Sequence, residues 1–158
     1  MPLEAQQVVE RLFARYAHAL DEDRLEEWPN FFTERGVYRV TTAENEARGL
    51  PLPVLYCDSR AMMRDRVASL RNANIYEPQR YRHLVSSTLI ERMSATEVKA
   101  VSNFLVIRTM QDGETALFAS GRYRDRILLT GDSGLAQFEE RIVVCDSRKF
   151  DTLLAIPL

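Results

Sequence analysis

The sequence predicts an α+β fold, with N-terminal helices packed on a long antiparallel sheet. Apolar residues recur at three- and four-residue steps near the N-terminus and again over residues 60–73. From Tyr81 onward the period becomes strand-like, and short turn-rich gaps separate four long runs.

In residues 3–20, Val9, Leu12, Phe13, Tyr16 and Leu20 form one stripe, while Glu10, Arg11, Arg15 and His18 fall largely off it. "LDEDRLEEWPNFF" predicts a turn and a short second helix halted at Trp28, because Pro29 disfavours a helical residue before it. Trp28, Phe31 and Phe32 form the densest aromatic cluster. "GVYRVTT", residues 36–42, is β-rich, and residues 43–53 read as a loop punctuated by Gly49, Pro51 and Pro53. Asp58 or Ser59 caps the helix "RAMMRDRVASLRNA", which buries Met63, Val67 and Leu70. "NIYEPQ" breaks that pattern. Strands follow at about 81–93, 96–110, 115–130 and 135–146, joined by hairpins at "SAT", "QDGE" and "TGDSG". "TLLAIPL" reads as a fifth strand or a docking tail. No linker or repeat divides the chain, so residues 1–158 are expected to form a single domain. A long twisted sheet wrapped over an amphipathic helix makes a cone, as in nuclear transport factor 2-like, or cystatin-like, proteins.

The formal net charge of −2 gives no case for nucleic-acid binding, and no apolar run approaches a membrane span. The first residues lack the pattern of a signal peptide, so the cytoplasm is the expected location. Cys57 and Cys145 are expected to be small, buried and unbonded. The basic residues are 19 arginines and two lysines, a bias that follows from genome composition or from arginine's suitability for protein interfaces.

Candidate chemistry centres on "YRHLVSS". His83 paired with Asp21 or Asp23 is the arrangement of a general base, with Tyr16, Tyr38 or Tyr81 polarising a substrate oxygen. That set describes a stand-alone cone-fold dehydratase or isomerase. The bland alternative is a histidine that hydrogen-bonds a neighbour and meets no substrate. His18 and His83 show no paired ligand spacing for iron, and the lone cysteines cannot hold an iron–sulfur cluster. In "FASGRY", Phe118 stands where a nucleophile elbow needs glycine. In "LFASGRYRDRILL", alternation puts Arg122, Arg124 and Arg126 on one face and Gly121, Tyr123, Asp125 and Ile127 on the other. A simple hairpin register sets Arg124 beside Glu140. The arginine face is either solvated and ion-paired or docks against a partner's acidic residues. "NFLVI" and "RIVVC" are apolar on both faces, which leaves sheet surface for another subunit to cover.

The ordered set "DEDRLEEWPNFF", "CDSRAMMRDRVASLRNANIYE", "RYRHLVSS", "LFASGRYRDRI" and "RIVVCDSRKFDTLLAIPL" resembles the small, beta, subunit of aromatic-ring-hydroxylating dioxygenases over nearly the whole chain. Many of those sequences carry asparagine where this one has Ser87. The resemblance implies a non-catalytic, structural chain with the cone fold and no cofactor of its own. The large alpha subunit would carry the Rieske [2Fe–2S] cluster and mononuclear Fe(II), and take electrons through a separate reductase. It would convert an aromatic acid to a cis-dihydrodiol within an α3β3 hexamer. On that reading His83, Arg82, Arg122, Arg124 and Arg126 are the candidate subunit interface.

Overall fold

The computed structural model describes residues 2–50, 53–73, 78–130, 135–149 and 156–158. Helix α1 (Pro2–Asp21) is followed by a 3-10 helix (Leu25–Phe31), β1 (Phe32–Thr42), α2 (Ala43–Ala47) and β2 (Leu55–Cys57). Then come α3 (Arg60–Ala73), β3 (Gln79–Arg92), β4 (Glu97–Met110), β5 (Thr115–Thr130) and β6 (Leu135–Cys145). The strands form one six-stranded sheet in the order β2-β1-β6-β5-β4-β3. β3 to β6 pair antiparallel in sequence, as the short gaps require. β1 instead runs parallel to β6, a pairing that no hairpin signal announces. The helices and the curved sheet make the cone of the nuclear transport factor 2-like fold.

The expected apolar stripe of α1 is buried throughout, with Val9, Leu12, Phe13, Tyr16 and Leu20 all inside. Its rings meet Phe31 of the 3-10 helix and Phe138 of β6, within a wider aromatic cluster. Tyr16 packs edge-on to Phe31 at 5.6 Å, Trp28 to Tyr38 at 5.0 Å, and Phe32 tilts against Phe138 at 5.3 Å. Such pairs add directional attraction to the burial of their area.

Several local expectations are corrected. The helix after α1 is of the tighter 3-10 kind and continues through Pro29 to Phe31. Pro29 lacks an N–H, but its carbonyl still accepts from Phe32 N–H, so the turn closes beyond it. β1 begins at Phe32, four residues early, and an irregularity in its pairing lies between Phe32 and Val37. The supposed loop contains α2, whose start is fixed by the Thr42 hydroxyl accepting from Asn45 N–H at 3.1 Å. α3 spans the predicted residues and is capped by Ser59, whose Oγ accepts from Met62 N–H at 3.1 Å. Of "NIYEPQ", "TGDSG" and "TLLAIPL", residues 74–77, 131–134 and 152–155 lie outside the described residues. Residues 156–158 are not a strand; they are buried beneath the sheet.

The helices α1 and α3 lie on the inner side of the sheet. On its outer face one continuous cross-strand row runs Tyr56, Arg39, Ile142, Arg124, Val101 and Leu89, one residue from each strand. Tyr56, Arg124, Val101 and Leu89 are exposed, Leu89 at 77%. Among the described residues only the short α2 touches this side, where Glu46 pairs with Arg124.

Candidate functional site

Three of the residues that sequence reading assigns to a pocket, Tyr16, Tyr38 and His83, converge on the chain's own segment Ile156–Leu158. Tyr16 comes from the buried stripe of α1, Tyr38 from the inner face of β1 and His83 from the inner face of β3. Tyr16 O–H donates to the Leu158 main-chain oxygen at 2.8 Å, and Tyr38 O–H donates to the same atom at 3.3 Å. The Tyr38 hydroxyl also accepts from Leu158 N–H at 2.9 Å. Burial pushes both tyrosine hydroxyls above their ordinary range, so they stay protonated and able to donate.

His83 takes Asp21, and not Asp23, as its carboxylate. Its Nδ1 lies 2.6 Å from Asp21 Oδ1, and its backbone N–H donates to both Asp21 oxygens at 3.1 Å. Asp23 turns outward to Arg71 at 2.9 Å, beside Glu26. The other ring nitrogen, Nε2, faces the Pro157 carbonyl at 3.2 Å. Both nitrogens are therefore engaged, and the His83 side chain is only 1% exposed. A general base needs a free nitrogen within reach of a substrate proton. With Pro157 seated against Nε2 this geometry offers none, so it gives the dehydratase or isomerase reading of His83 and Asp21 no support. It also takes His83 off the candidate subunit interface, since its ring lies under the tail. Tyr81 shares the inner face but its hydroxyl meets Gln79 and its ring packs on Phe118 at 5.6 Å.

Beside this cluster, α1 and β3 leave a half-open groove of about 350 Å³ with Phe13, Ala14, Ala17 and Val85 on its apolar walls. Gln6, Glu10 and His18 stand at its polar rim. Ser87, also on its wall, sits at φ +56° where the β3–β4 register shifts.

The arginine face is as alternation predicts: Arg122, Arg124 and Arg126 are exposed, and Tyr123, Asp125 and Ile127 are buried. The register is not. Arg124 stands opposite Ile142 and Arg126 opposite Glu140, with a one-residue irregularity in the pairing between Arg126 and Ile127. Arg124 pairs instead with Glu46, while Arg126 binds Glu97 at 3.0 Å and Glu139 at 3.1 Å. Arg82 and Arg122 remain exposed on the same side of the sheet, without an ion pair among the described residues.

Sequence reading missed two groups. Trp28 Nε1–H donates to the Tyr16 hydroxyl at 3.2 Å, which orients that hydroxyl toward Leu158. Asp125 and Arg141 form a fully buried pair, for which the inward alternation of Asp125 was the available signal. No group of three or more His, Cys, Asp or Glu side chains among the described residues could hold a metal ion. The donor set of the described residues therefore does not fit a Rieske cluster or mononuclear iron. Cys57 and Cys145 are both free and buried.

The class these features define is a cone-fold protein of the nuclear transport factor 2-like kind whose interior is closed by its own chain. A family model described as "Ring hydroxylating beta subunit" matches residues 15–152, and this chain belongs to that family. It is a beta, or small, subunit of an aromatic-ring-hydroxylating dioxygenase, and its part in that complex is structural. It is 46% identical over 145 residues to subunit beta 1 of the terminal oxygenase component of terephthalate 1,2-dioxygenase from Comamonas sp, covering 92% of this chain and 93% of that one. Identity to the anthranilate 1,2-dioxygenase small subunit of Burkholderia cepacia is 41%, over 91% and 88% of the two chains. The crystal structure described as the beta subunit of an aromatic-ring-hydroxylating dioxygenase from Novosphingobium aromaticivorans superimposes with a TM-score of 0.88. That match has 37% identity and covers 98% of this chain and 97% of that one.

Proposed function

We propose that this chain assembles with a large alpha subunit into an α3β3 hexamer in the cytoplasm. In that assembly the alpha subunit holds the Rieske [2Fe–2S] cluster and mononuclear Fe(II), and a separate reductase delivers electrons from NAD(P)H. The product is the cis-dihydrodiol of an aromatic acid, with terephthalate the first compound to try, since a relative at 46% identity is named for it. The observation that carries this reading is the family match over residues 15–152.

The outer sheet face supports the assembly. Its cross-strand row mixes apolar side chains with arginine, the composition that interface cores favour. Arg122 borders the row on β5, and Arg82 lies farther along β3 opposite Ile107; neither has an ion pair of its own among the described residues, which suits a partner surface bearing carboxylates. Arg124 and Arg126 are already paired within the chain and would extend that contact as a network. His83 contributes only by fixing the tail beneath the sheet.

Co-expression with the alpha subunit, followed by purification through a tag on that subunit, tests the reading. The expected product is a brown complex with equal amounts of both chains and a mass of three pairs. Arg82→Glu combined with Arg122→Glu should leave the isolated chain folded and reduce its recovery in the complex. A chain that is never retained by the alpha subunit would end the proposal.

A further inference from the structure

The interior of the cone treats residues 157 and 158 as a binding site treats a ligand. Three of the segment's polar main-chain atoms meet buried side chains. The carbonyl before the leucine faces His83 Nε2 at 3.2 Å. The leucine N–H donates to the Tyr38 hydroxyl at 2.9 Å, and the leucine oxygen accepts from Tyr16 at 2.8 Å and from Tyr38 at 3.3 Å. The Leu158 side chain is 1% exposed, within the main apolar cluster.

These contacts are themselves held from behind. Asp21 fixes the His83 ring at 2.6 Å, and Trp28 fixes the Tyr16 hydroxyl at 3.2 Å. A site whose donors and acceptors are oriented before binding spends little ordering free energy when it fills. Here the positioning groups belong to α1, the 3-10 helix, β1 and β3, and not to the tail.

We propose that the cone interior is a recognition site for N-acyl leucine and related branched N-acyl amino acids, which Ile156–Leu158 occupies in cis. The outline is read directly from the contacts: an acyl carbonyl, an amide N–H, a second oxygen and one branched aliphatic side chain. A tethered occupant acts at high effective concentration, so a free ligand enters only when the tail is withdrawn. Its apparent affinity is lowered by the fraction of chains with the site empty. The site stands independently of assembly with an alpha subunit, because all of its groups come from this chain.

The experiment compares the full chain with a variant lacking residues 157 and 158 and with Leu158→Gly. The probe is N-acetyl-L-leucinamide, with its D enantiomer as control, read by thermal unfolding and titration calorimetry. The L form should raise the unfolding temperature of both variants saturably, leave the full chain unmoved, and outperform the D form. Tyr38→Phe in the shortened chain should weaken binding about tenfold, the loss of one buried hydrogen-bonding group. If the shortened chain does not fold alone, the L form must restore a cooperative transition in one of the two variants. Indifference of both variants to the probe, equal response to both enantiomers, or an equal response of the full chain would overturn the site.

Discussion

Asp125 and Arg141 face each other across β5 and β6, joined by two hydrogen bonds of 2.9 Å, and neither side chain has any exposure. The guanidinium lies 3.7 Å from the Tyr123 ring centre and 4.2 Å from that of Phe138. Cation–π attraction thus takes the place of solvent on the faces that Asp125 leaves uncovered. Burial pushes the Asp125 carboxyl up, and the neighbouring guanidinium pulls it back. For the arginine, burial works against the cation, but this carboxylate together with Tyr123 and Tyr16 outweighs it and keeps the guanidinium charged.

Removing one partner strands the other charge in the core. Asp125→Asn should lower stability by about 3–5 kcal/mol, measured by urea unfolding of the isolated chain. Replacing both partners, as in Asp125→Leu with Arg141→Met, should recover much of that loss, because the pair itself bears a large desolvation penalty. A double variant less stable than Asp125→Asn would contradict this account of the pair.

Ser87 occupies the left-handed region at φ +56°, where a side chain with Cβ is strained. Asparagine tolerates that region better and glycine carries no penalty there. Ser87→Asn and Ser87→Gly should therefore stabilise the chain, by about 1 kcal/mol at most. For a chain of this length that appears as a rise of roughly 2–4 °C in Tm. A fall in Tm for both would mean that the Ser87 hydroxyl holds the β3 irregularity in place.

Gly121, the glycine of "FASGRY", is required by close approach and not by chemistry. A Cβ there would collide with the Val144 carbonyl oxygen and come within 3.0 Å of the Cys145 Cα and the Phe104 ring. Backbone cannot move aside as a flexible side chain does, so Gly121→Ala should cost about 1–3 kcal/mol. Chemical denaturation measures it, and an unchanged midpoint would show that β5 and β6 can separate locally.

The local grammar of this chain was readable because it is local. Periodicity places Val9 to Leu20 on one buried stripe and Gly121 to Ile127 on one inward face, and both lie there. The hairpin gaps order β3 to β6 correctly. What sequence could not supply is long-range: the parallel seat of β1 against β6, and the tail under His83, 74 residues away. The choice between Asp21 and Asp23 also depended on it. Asp21 is the last residue of α1 and faces β3, whereas Asp23, two residues on, has turned toward α3 and Arg71. Part of the Arg124 miss has a smaller reason: β6 carries one extra residue, Glu139, opposite the Arg126–Ile127 step, which periodicity cannot detect.

The two thiols yield a pH prediction. Burial pushes the Cys145 thiol up to about 12 and raises Cys57 in the same direction. The thiolate is the nucleophile, so only roughly one Cys145 in ten thousand is reactive at pH 8. Iodoacetamide should leave the native chain unmodified on both cysteines under conditions that alkylate it fully in urea. Linkage gives the stability sign. Between the unfolded thiol value near 9.0 and the folded value of about 12, the native state holds the Cys145 proton and the unfolded state releases it. The native state then binds more protons, so stability falls as pH rises, by up to about 1.4 kcal/mol per pH unit, and levels off above 12. The buried hydroxyls of Tyr16, Tyr38 and Tyr123, all raised by burial, push the same way above their ordinary value of 10.0. Cys145→Ala should flatten the first part of this decline, between pH 9 and 10, and leave the steeper tyrosine-driven part in place. Urea midpoints taken across pH 7–11 check it, and a stability that rises over that range would mean the thiol ionises more easily folded than free.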